Sequence, residues 1–238
     1  MTYTLHLGDC LEYMKTMPDK SVDAVITDPP FTFAGGISNG RASMADNQFF
    51  LYWWKDICAE LNRALKPEGE GFVWCDWKSA STIAAGFQQD QKYTWRAAQM
   101  LYHYREMPGQ GAPFRNSVDT FLYVRGPKSD GHRIVNTTHN WISKYWYYGK
   151  HENHPAEKDP EICAQMLDWC SDVGDTVFDP FMGSGTTGVA CMQLGRNFIG
   201  CEIEPKYFEI AKKRIEQAAM QAIRDSATEL AAALKEKP

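Results

Sequence analysis

The segment Asp28-Pro29-Pro30-Phe31 combines residue types that can hold a flat ring and react with it, and it follows the apolar run Val22–Thr27. A carboxylate, two prolines that stiffen the backbone and an aromatic ring suit a site for a base that carries an exocyclic amino group. The lone pair of such an amine is delocalised into the ring, so acceptors on its N–H groups are needed to make it a nucleophile. We therefore predict catalytic roles for all four residues, with the Asp28 carboxylate and the Pro29 carbonyl as acceptors and Phe31 stacked on the base. The alternative is an ordinary strand end with a core phenylalanine.

A second segment, Asp179–Thr187 (DPFMGSGTT), predicts a cofactor-binding turn. Gly183 and Gly185 let the backbone approach a ligand closely, and the free N–H groups at the start of the next helix point towards it. Glu202 lies 19 residues after Gly183, at the end of the next predicted strand, where a carboxylate can accept hydrogen bonds from both ribose hydroxyls. Glu204 is the rival for this role. No lysine follows the second glycine, so a nucleoside cofactor without phosphates is favoured over a nucleoside triphosphate.

Short apolar runs alternate with segments of helical spacing along most of the chain, which predicts an α/β fold. Ser226-Ala-Thr-Glu229 resembles a capping box and predicts a separate last helix. The predicted strands are Leu5–Leu7, Val22–Thr27, Gly71–Cys75, Thr94–Tyr104, Thr120–Val124, Thr176–Phe178 and Asn197–Cys201. The predicted helices are Phe49–Lys66, Ser79–Gln91, Asp159–Cys170, Gly185–Leu194 and Lys206–Ala222, with Pro67–Gly69 ending the first of them.

Charge is distributed unevenly along the 238 residues, whose formal net charge is −5. Residues 101–151 hold seven Lys and Arg against three Asp and Glu, which gives +4 there and −9 elsewhere. A local basic surface on an acidic chain is what contact with a polyanion requires. Residues 126–153 also carry the aromatic cluster Trp141, Tyr145, Trp146, Tyr147 and Tyr148, which predicts an insertion that contacts nucleic acid; a small satellite core is the alternative.

Length and composition are those of a single folded domain, with 44% hydrophobic and 23% charged residues. The longest apolar run, 49–54, is far too short to cross a bilayer, and the start of the sequence does not have the pattern of a signal peptide. Seven scattered cysteines without a Cys-x-x-Cys pair argue against a disulfide framework or a zinc site. These features predict a cytoplasmic protein that binds no membrane.

Together the two motifs resemble those of the DNA amino-methyltransferases, the adenine-N6 and cytosine-N4 family that uses S-adenosylmethionine. The resemblance covers about Leu5–Ile215, and the catalytic motif precedes the cofactor motif by 151 positions, as in the beta group of the family. It implies a Rossmann-like methyltransferase fold: a mostly parallel sheet with helices on both faces and a small target-recognition insertion. The implied divisions are 1–125 for the catalytic half, 126–153 for the insertion, 154–222 for the cofactor-binding half and 223–238 for a C-terminal helix or tail.

The resemblance also implies the roles of individual residues. Lys158 stands in a segment that departs from the family pattern, because Asp159 separates it from Pro160. The implied cofactor-binding residues are Asp9, Cys10, Asp28, Lys158, Asp179, Phe181, Gly183, Ser184, Gly185, Thr186 and Glu202. The predicted DNA contacts are Arg41, Arg115, Lys128, Arg133, Lys144 and Lys150.

The implied reaction is site-specific transfer of the methyl group from S-adenosylmethionine to the exocyclic amino nitrogen of adenine in double-stranded DNA. The base would be flipped out of the duplex and attack in line, leaving S-adenosylhomocysteine, and no metal would be needed. None of the 12 prolines precedes a cysteine, which argues against methylation at cytosine carbon 5. Asp at the first motif position favours adenine, whereas Ser favours cytosine-N4. Cytosine-N4 methylation, an RNA methyltransferase and a non-catalytic cofactor- or DNA-binding module stay as alternatives. The resemblance also implies a homodimer, a restriction-modification context and a bacterial or phage-infected cell.

Overall fold

The computed structural model describes residues 1–30, 47–77, 79–87, 94–104, 117–131, 141–142 and 160–235, and this part of the chain folds into one sheet flanked by helices. The strands are β1 (Tyr3–Leu7), β2 (Val22–Thr27), β3 (Leu65–Cys75), β4 (Arg96–Tyr104), β5 (Val118–Arg125), β6 (Trp141–Ile142), β7 (Thr176–Asp179) and β8 (Asn197–Glu202). The helices are α1 (Cys10–Met14), α2 (Asn47–Ala64), α3 (Ala80–Gly86), α4 (Pro160–Cys170), α5 (Thr186–Gln193) and α6 (Pro205–Lys235).

The strand order is β1-β8-β7-β2-β3-β5-β4-β6. Pairing is parallel from β1 to β3 and between β4 and β6, and only β5 runs antiparallel to its two neighbours among these strands. The predicted mostly parallel sheet is therefore confirmed. Because the carboxyl ends of parallel strands meet at one edge, the loops after β1, β8, β7, β2 and β3 all open on the same side of the domain.

Helices cover both faces of the sheet, as predicted. Side chains from α1, α2 and α3 pack with Val25 and Phe178 on one face. Side chains from α4, α5 and α6 pack with Ile26 and Val177 on the other. The alternation follows from the strand repeat of two residues, which sends neighbouring side chains to opposite faces. Burial on both sides explains why these strands are continuous apolar runs.

The predicted break between the first long helix and the next strand is wrong. Helix α2 ends at Ala64, and β3 begins at once with Leu65. Val22 pairs with Leu65 and Ala24 with Glu70, so the register shifts across the proline-containing segment. The strand accommodates Pro67 because the extra residues of this irregularity need not donate to the ladder. Helix α3 also differs from its prediction, since it covers only Ala80–Gly86.

The predicted separate C-terminal helix is also wrong. Helix α6 runs without interruption over 31 residues, Pro205–Lys235, and passes through the apparent capping box. No glycine or proline occurs after Pro205 within the helix, so nothing breaks the hydrogen-bond ladder. Inside it, Gln221 Nε2 donates to Asp225 at 2.8 Å and the Thr228 hydroxyl donates to the Arg224 carbonyl at 2.9 Å. The proposed boundary at 222/223 therefore falls within one helix.

Two further findings bear on the sequence analysis. Strand β6 lies within the predicted insertion and extends the sheet, because Trp141 pairs with Tyr102 of β4; the rest of 132–153 is outside the described residues. All seven cysteines are buried, and none forms a disulfide. No helix of the described residues is long and apolar enough to span a membrane.

Candidate active site

The catalytic and cofactor motifs lie side by side at the carboxyl edge of the sheet, as predicted from their positions after parallel strands. Strands β2 and β7 are neighbours, with Val25 opposite Phe178. At their ends the Thr27 hydroxyl donates a 2.8 Å hydrogen bond to Asp179 Oδ1. Asp28 is the next residue after Thr27 and directly follows β2. The two motifs, 151 positions apart in the chain, are thus joined by a direct side-chain contact.

Asp179 is buried beneath this contact, with 3% of its surface exposed. Its Oδ1 also accepts a 3.1 Å hydrogen bond from the backbone N–H of Phe181. Burial raises the pKa of this carboxyl from 3.8 to about 7, against the opposing effect of its hydrogen bonds from Thr27 and Thr187; the charge of Asp28 raises it further. The position of Asp179 suits a residue that fixes the start of the cofactor turn.

Replacing Asp179 with asparagine is expected to remove a pH dependence of stability. The folded chain binds the Asp179 proton more tightly than the unfolded chain does, so this group stabilises the fold below about pH 4 and loses that contribution as the pH rises towards 7. Asparagine keeps an acceptor for Thr27 and Phe181 but cannot ionise. The difference in unfolding free energy, variant minus wild type, should therefore grow between pH 4 and pH 8, with an upper limit of roughly 4 kcal/mol. Urea unfolding of both proteins at several pH values measures this difference. A difference in unfolding free energy that stays constant between pH 4 and pH 8 would contradict the expectation.

The cofactor turn between β7 and α5 is built on left-handed glycines. Gly183 and Gly185 have φ values of 52° and 82°, a region that favours glycine. A Cβ on Gly183 would meet no atom of the described residues within 4 Å, so this part of the structure leaves Gly183 open. A Cβ on Gly185 would lie 2.9 Å from the Cβ of Ala211, so helix α6 packs directly against that glycine. The turn is therefore closed on the α6 side and open at Gly183.

Glu202, the last residue of β8, is the carboxylate that contacts the cofactor turn. Its Oε2 accepts a 3.0 Å hydrogen bond from the Gly183 N–H, and its Oε1 accepts a 2.8 Å bond from the Glu204 N–H. Glu204 is exposed, and its carbonyl accepts from the first turn of α6. This geometry favours Glu202 over Glu204 as the side chain that can reach a ribose held against Gly183.

Two side chains that the sequence analysis missed also hold the turn. Arg214 of α6 donates through Nη1 to the carbonyl of Ser184 at 2.7 Å and to its hydroxyl at 2.9 Å. The Trp53 ring of α2 lies 5.6 Å from the Phe181 ring, centroid to centroid. Neither residue belongs to a motif, and helical spacing alone does not indicate which turn of a helix will meet a distant loop.

Replacing Arg214 with alanine is expected to weaken cofactor binding about tenfold, because two hydrogen bonds from a charged group to Ser184 are lost. Arg214→Lys keeps the charge and one donor and should recover part of the affinity. The control is Arg224→Ala, which changes an exposed arginine farther along the same helix. Isothermal titration of each variant with S-adenosylmethionine measures the effect, and an unchanged dissociation constant for Arg214→Ala would rule out this positioning role.

Asp9 and Cys10 follow β1 at the far side of the same edge. The Gly8 N–H donates to the Glu202 carbonyl at 2.9 Å, which places this loop beside the end of β8. Asp9 caps α1, accepting from the Leu11 N–H at 2.7 Å. Burial, followed by the charge of Asp9, raises the pKa of the Cys10 thiol to about 12. Burial therefore favours the neutral thiol of Cys10 at this edge of the sheet.

The catalytic segment is described as far as Pro30. Asp28 is half-buried, Pro29 is buried and Pro30 is exposed. On the other side of β2, the thiol of Cys75 ends β3; burial raises its pKa to about 11, and the nearby charges of Asp76 and Asp28 add to the effect. Asp28 thus stands between the cofactor turn and the end of β3.

Seven predicted site residues lie outside the described residues: Phe31, Arg41, Arg115, Arg133, Lys144, Lys150 and Lys158. Lys128 is described and lies three residues after the end of β5. Arg125, the last residue of β5, pairs with Glu70 of β3, and Glu70 pairs with Ala24 near the start of β2. Lys128 therefore lies at the opposite edge of the sheet from Asp28, which follows the end of β2. The Lys128 ammonium is 3.6 Å from a carboxylate oxygen of Glu68. The structure therefore does not bring Lys128 to the candidate site.

The sequence profile of a family described as DNA methylase, the N6/N4 methyltransferases, matches residues 22–213, which is well over half of the chain. The chain belongs to this family. Both motifs fall within the matched residues, and the family resemblance drawn from them is confirmed.

Two characterised relatives of this DNA methylase span most of its length. Type II methyltransferase M.HpaI of Haemophilus parainfluenzae is 26% identical, over 91% of this chain and 75% of its own. DNA adenine methyltransferase YhdJ of Escherichia coli K12 is 25% identical, over 98% of this chain and 88% of its own.

Solved structures share the fold of this DNA methylase. M1.HpyAVI in complex with SAM is 26% identical, covers 90% of this chain and 99% of its own, and gives a TM-score of 0.70. The PvuII DNA methyltransferase, which is cytosine-N4-specific, is 18% identical to this chain. The match covers 94% of this chain and 93% of the PvuII enzyme, with a TM-score of 0.71. The Rossmann-like methyltransferase fold expected from the sequence is thereby confirmed.

Proposed function

We propose that this DNA methyltransferase modifies the exocyclic N6 of adenine in double-stranded DNA. The observation that carries the proposal is Asp28, a carboxylate at the end of β2 that is joined through Thr27 and Asp179 to the cofactor turn. An aspartate at this motif position is associated mainly with adenine in the resembling enzymes, and a serine mainly with cytosine. One relative, YhdJ, is named as an adenine methyltransferase, which supports the same choice.

The methyl donor is S-adenosylmethionine, and the described residues fit it. Gly183 offers a left-handed turn at which a Cβ would meet none of the described residues within 4 Å, so among these residues the backbone is accessible to a ligand. Glu202 presents a carboxylate beside that turn for ribose hydroxyls. Bound there, the donor supplies a sulfonium methyl group that is already activated for transfer. The chain is thus left with the tasks of binding and orientation.

Within this proposal the residues at the carboxyl edge of the sheet have separate roles. Asp28 and the Pro29 carbonyl accept hydrogen bonds from the adenine amino group and so direct its lone pair towards the methyl carbon. Phe31 and Lys158 keep the stacking and cofactor-contacting roles that the resemblance implies. Asp179 fixes the cofactor turn through its hydrogen bond from the Phe181 N–H, and Arg214 of α6 fixes it through its hydrogen bonds to Ser184. Positioning and fixed electrostatics carry the acceleration, since an in-line approach needs the two reactants at contact distance.

Mass spectrometry of the product tests the base assignment. The purified protein is incubated with unmethylated duplex DNA and S-adenosylmethionine, and the DNA is digested to nucleosides. N6-methyladenine is expected. N4-methylcytosine in its place would overturn the choice of base, whereas methylation of RNA but not of DNA, in a parallel reaction, would overturn the choice of nucleic acid.

A further inference from the structure

An exposed tryptophan stands beside the catalytic aspartate at the carboxyl edge of the sheet. Trp77 follows β3 and has 79% of its surface exposed, more than the other exposed large hydrophobic side chains among the described residues. Strand β3 is the parallel neighbour of β2, with Thr27 opposite Val73. The turn that carries Trp77 therefore opens on the same side of the domain as Asp28.

The end of β3 is close to Asp28. Cys75, the last residue of the strand, is near enough for the negative charge of Asp28 to act on its thiol. Trp77 comes two residues after Cys75, so it lies at the same edge of the sheet as Asp28.

The turn that carries Trp77 is closed by hydrogen bonds between Asp76 and the start of α3. Asp76 Oδ1 accepts hydrogen bonds from the N–H and the hydroxyl of Ser79, each at 2.7 Å, and the Asp76 N–H donates to the Ser79 hydroxyl at 3.0 Å. The Asp76 carbonyl accepts from the Ala80 N–H at 2.9 Å as α3 begins. Ser79 is fully buried. The backbone that carries the exposed indole is thus held by hydrogen bonds on both sides of Trp77.

A second aromatic side chain lies farther along the same edge. Tyr104 ends β4, is 52% exposed and pairs with Val118 of β5. Thr120, two residues later on β5, pairs with Cys75 of β3. Cys75 and Tyr102 both pair with Thr120, so they are two strand spacings or about 10 Å apart. Trp77 and Tyr104 each come two residues later, on either side of the start of β5. In the strand order β2-β3-β5-β4-β6, these two exposed aromatic residues therefore lie between Asp28, which follows β2, and β6 in the predicted insertion.

We propose that Trp77 stacks on a DNA base next to the extruded target and thereby stabilises the open duplex. The inference rests on the proposed function, because it requires a base to leave the stack at Asp28. Extrusion exposes the faces of neighbouring bases, and an indole is a large flat surface that can cover one of them whatever its sequence. Stacking also needs no positive charge, so it suits an edge that already holds the carboxylates of Asp28, Asp179 and Glu202.

Steady-state kinetics with Trp77→Ala test this role. The KM for unmethylated duplex DNA is expected to rise about tenfold, the usual size of a lost base–aromatic contact, while the KM for S-adenosylmethionine stays unchanged. Trp77→Phe keeps a stacking surface and should restore most of the affinity. The matched control is Tyr3→Ala. Tyr3 is an exposed aromatic residue that begins the edge strand β1, so it lies at the amino edge of the sheet, away from Asp28. Its replacement should leave both KM values unchanged.

A mismatch opposite the target base distinguishes stacking from a structural contribution. The mismatch weakens the base pair in advance, so it should reduce the difference between Trp77→Ala and wild type. Equal KM values for DNA in Trp77→Ala and wild type, or a loss that the mismatch does not relieve, would overturn the inference. If the wild type sediments as an oligomer and Trp77→Ala as a monomer, the side chain would instead be assigned to contact between copies, and the inference would be overturned. If the wild type methylated no DNA, the proposed function itself would fail.

Discussion

Replacing Asp28 with alanine is expected to lower turnover about 10³-fold while cofactor affinity stays close to that of the wild type. The amino nitrogen of the target base is a poor nucleophile until its N–H groups find acceptors, and Asp28 is the charged acceptor at this position. Its carboxylate lies on the β2 side of the site, whereas the turn that holds the cofactor belongs to β7 and β8. Single-turnover methylation of duplex DNA measures the rate, and calorimetric titration measures the cofactor affinity.

Two controls accompany this experiment. Asp28→Asn keeps one acceptor oxygen but no charge, so its rate should fall between those of wild type and alanine. Removing the charge of Asp28 also removes a repulsion that raises the pKa of Asp179, so the fold should not be destabilised at neutral pH. Thermal unfolding checks this point. Normal turnover by Asp28→Ala would refute the mechanism.

Replacing Glu202 with alanine is expected to weaken S-adenosylmethionine binding about 100-fold. Two effects act together: the ribose loses a charged acceptor, and the backbone N–H groups of Gly183 and Glu204 lose the partners that fix them. Each hydrogen bond to a charged group contributes roughly 1.5 to 3 kcal/mol, and part of this is recovered by water at a half-exposed site. Turnover at saturating cofactor should fall much less than affinity.

Glu204→Ala is the matched control, since it removes the neighbouring carboxylate from an exposed residue whose backbone, and not its side chain, contacts Glu202. Its cofactor affinity should equal that of the wild type. Glu202→Gln can satisfy one of the two N–H groups and should give an intermediate affinity. A larger loss in Glu204→Ala than in Glu202→Ala would transfer the ribose-binding role to Glu204.

The strands near the site were predictable because their sequences carry short, continuous apolar runs. Val22–Thr27 was predicted with its observed bounds, and Asn197–Cys201 differs from β8 by one residue. Both strands are buried on two faces, so burial and the local pattern give the same answer. Helix ends were harder to predict. The capping pattern at Ser226 predicts a helix start, yet uninterrupted helix-forming residues carry α6 through it.

The sequence by itself determined which residues are candidates for the site: residue types, spacing and position after predicted strands indicate the motif at Asp28, the glycine turn at Gly183 and the carboxylate at Glu202. Only the tertiary structure decided how these parts are held. The bond from Thr27 to Asp179, the burial that raises the pKa of Asp179, the contact of Arg214 with Ser184 and the placement of Trp77 beside Asp28 each join elements far apart in the chain. Strand order and helix packing create these contacts, and local sequence patterns do not encode which distant strands and helices become neighbours.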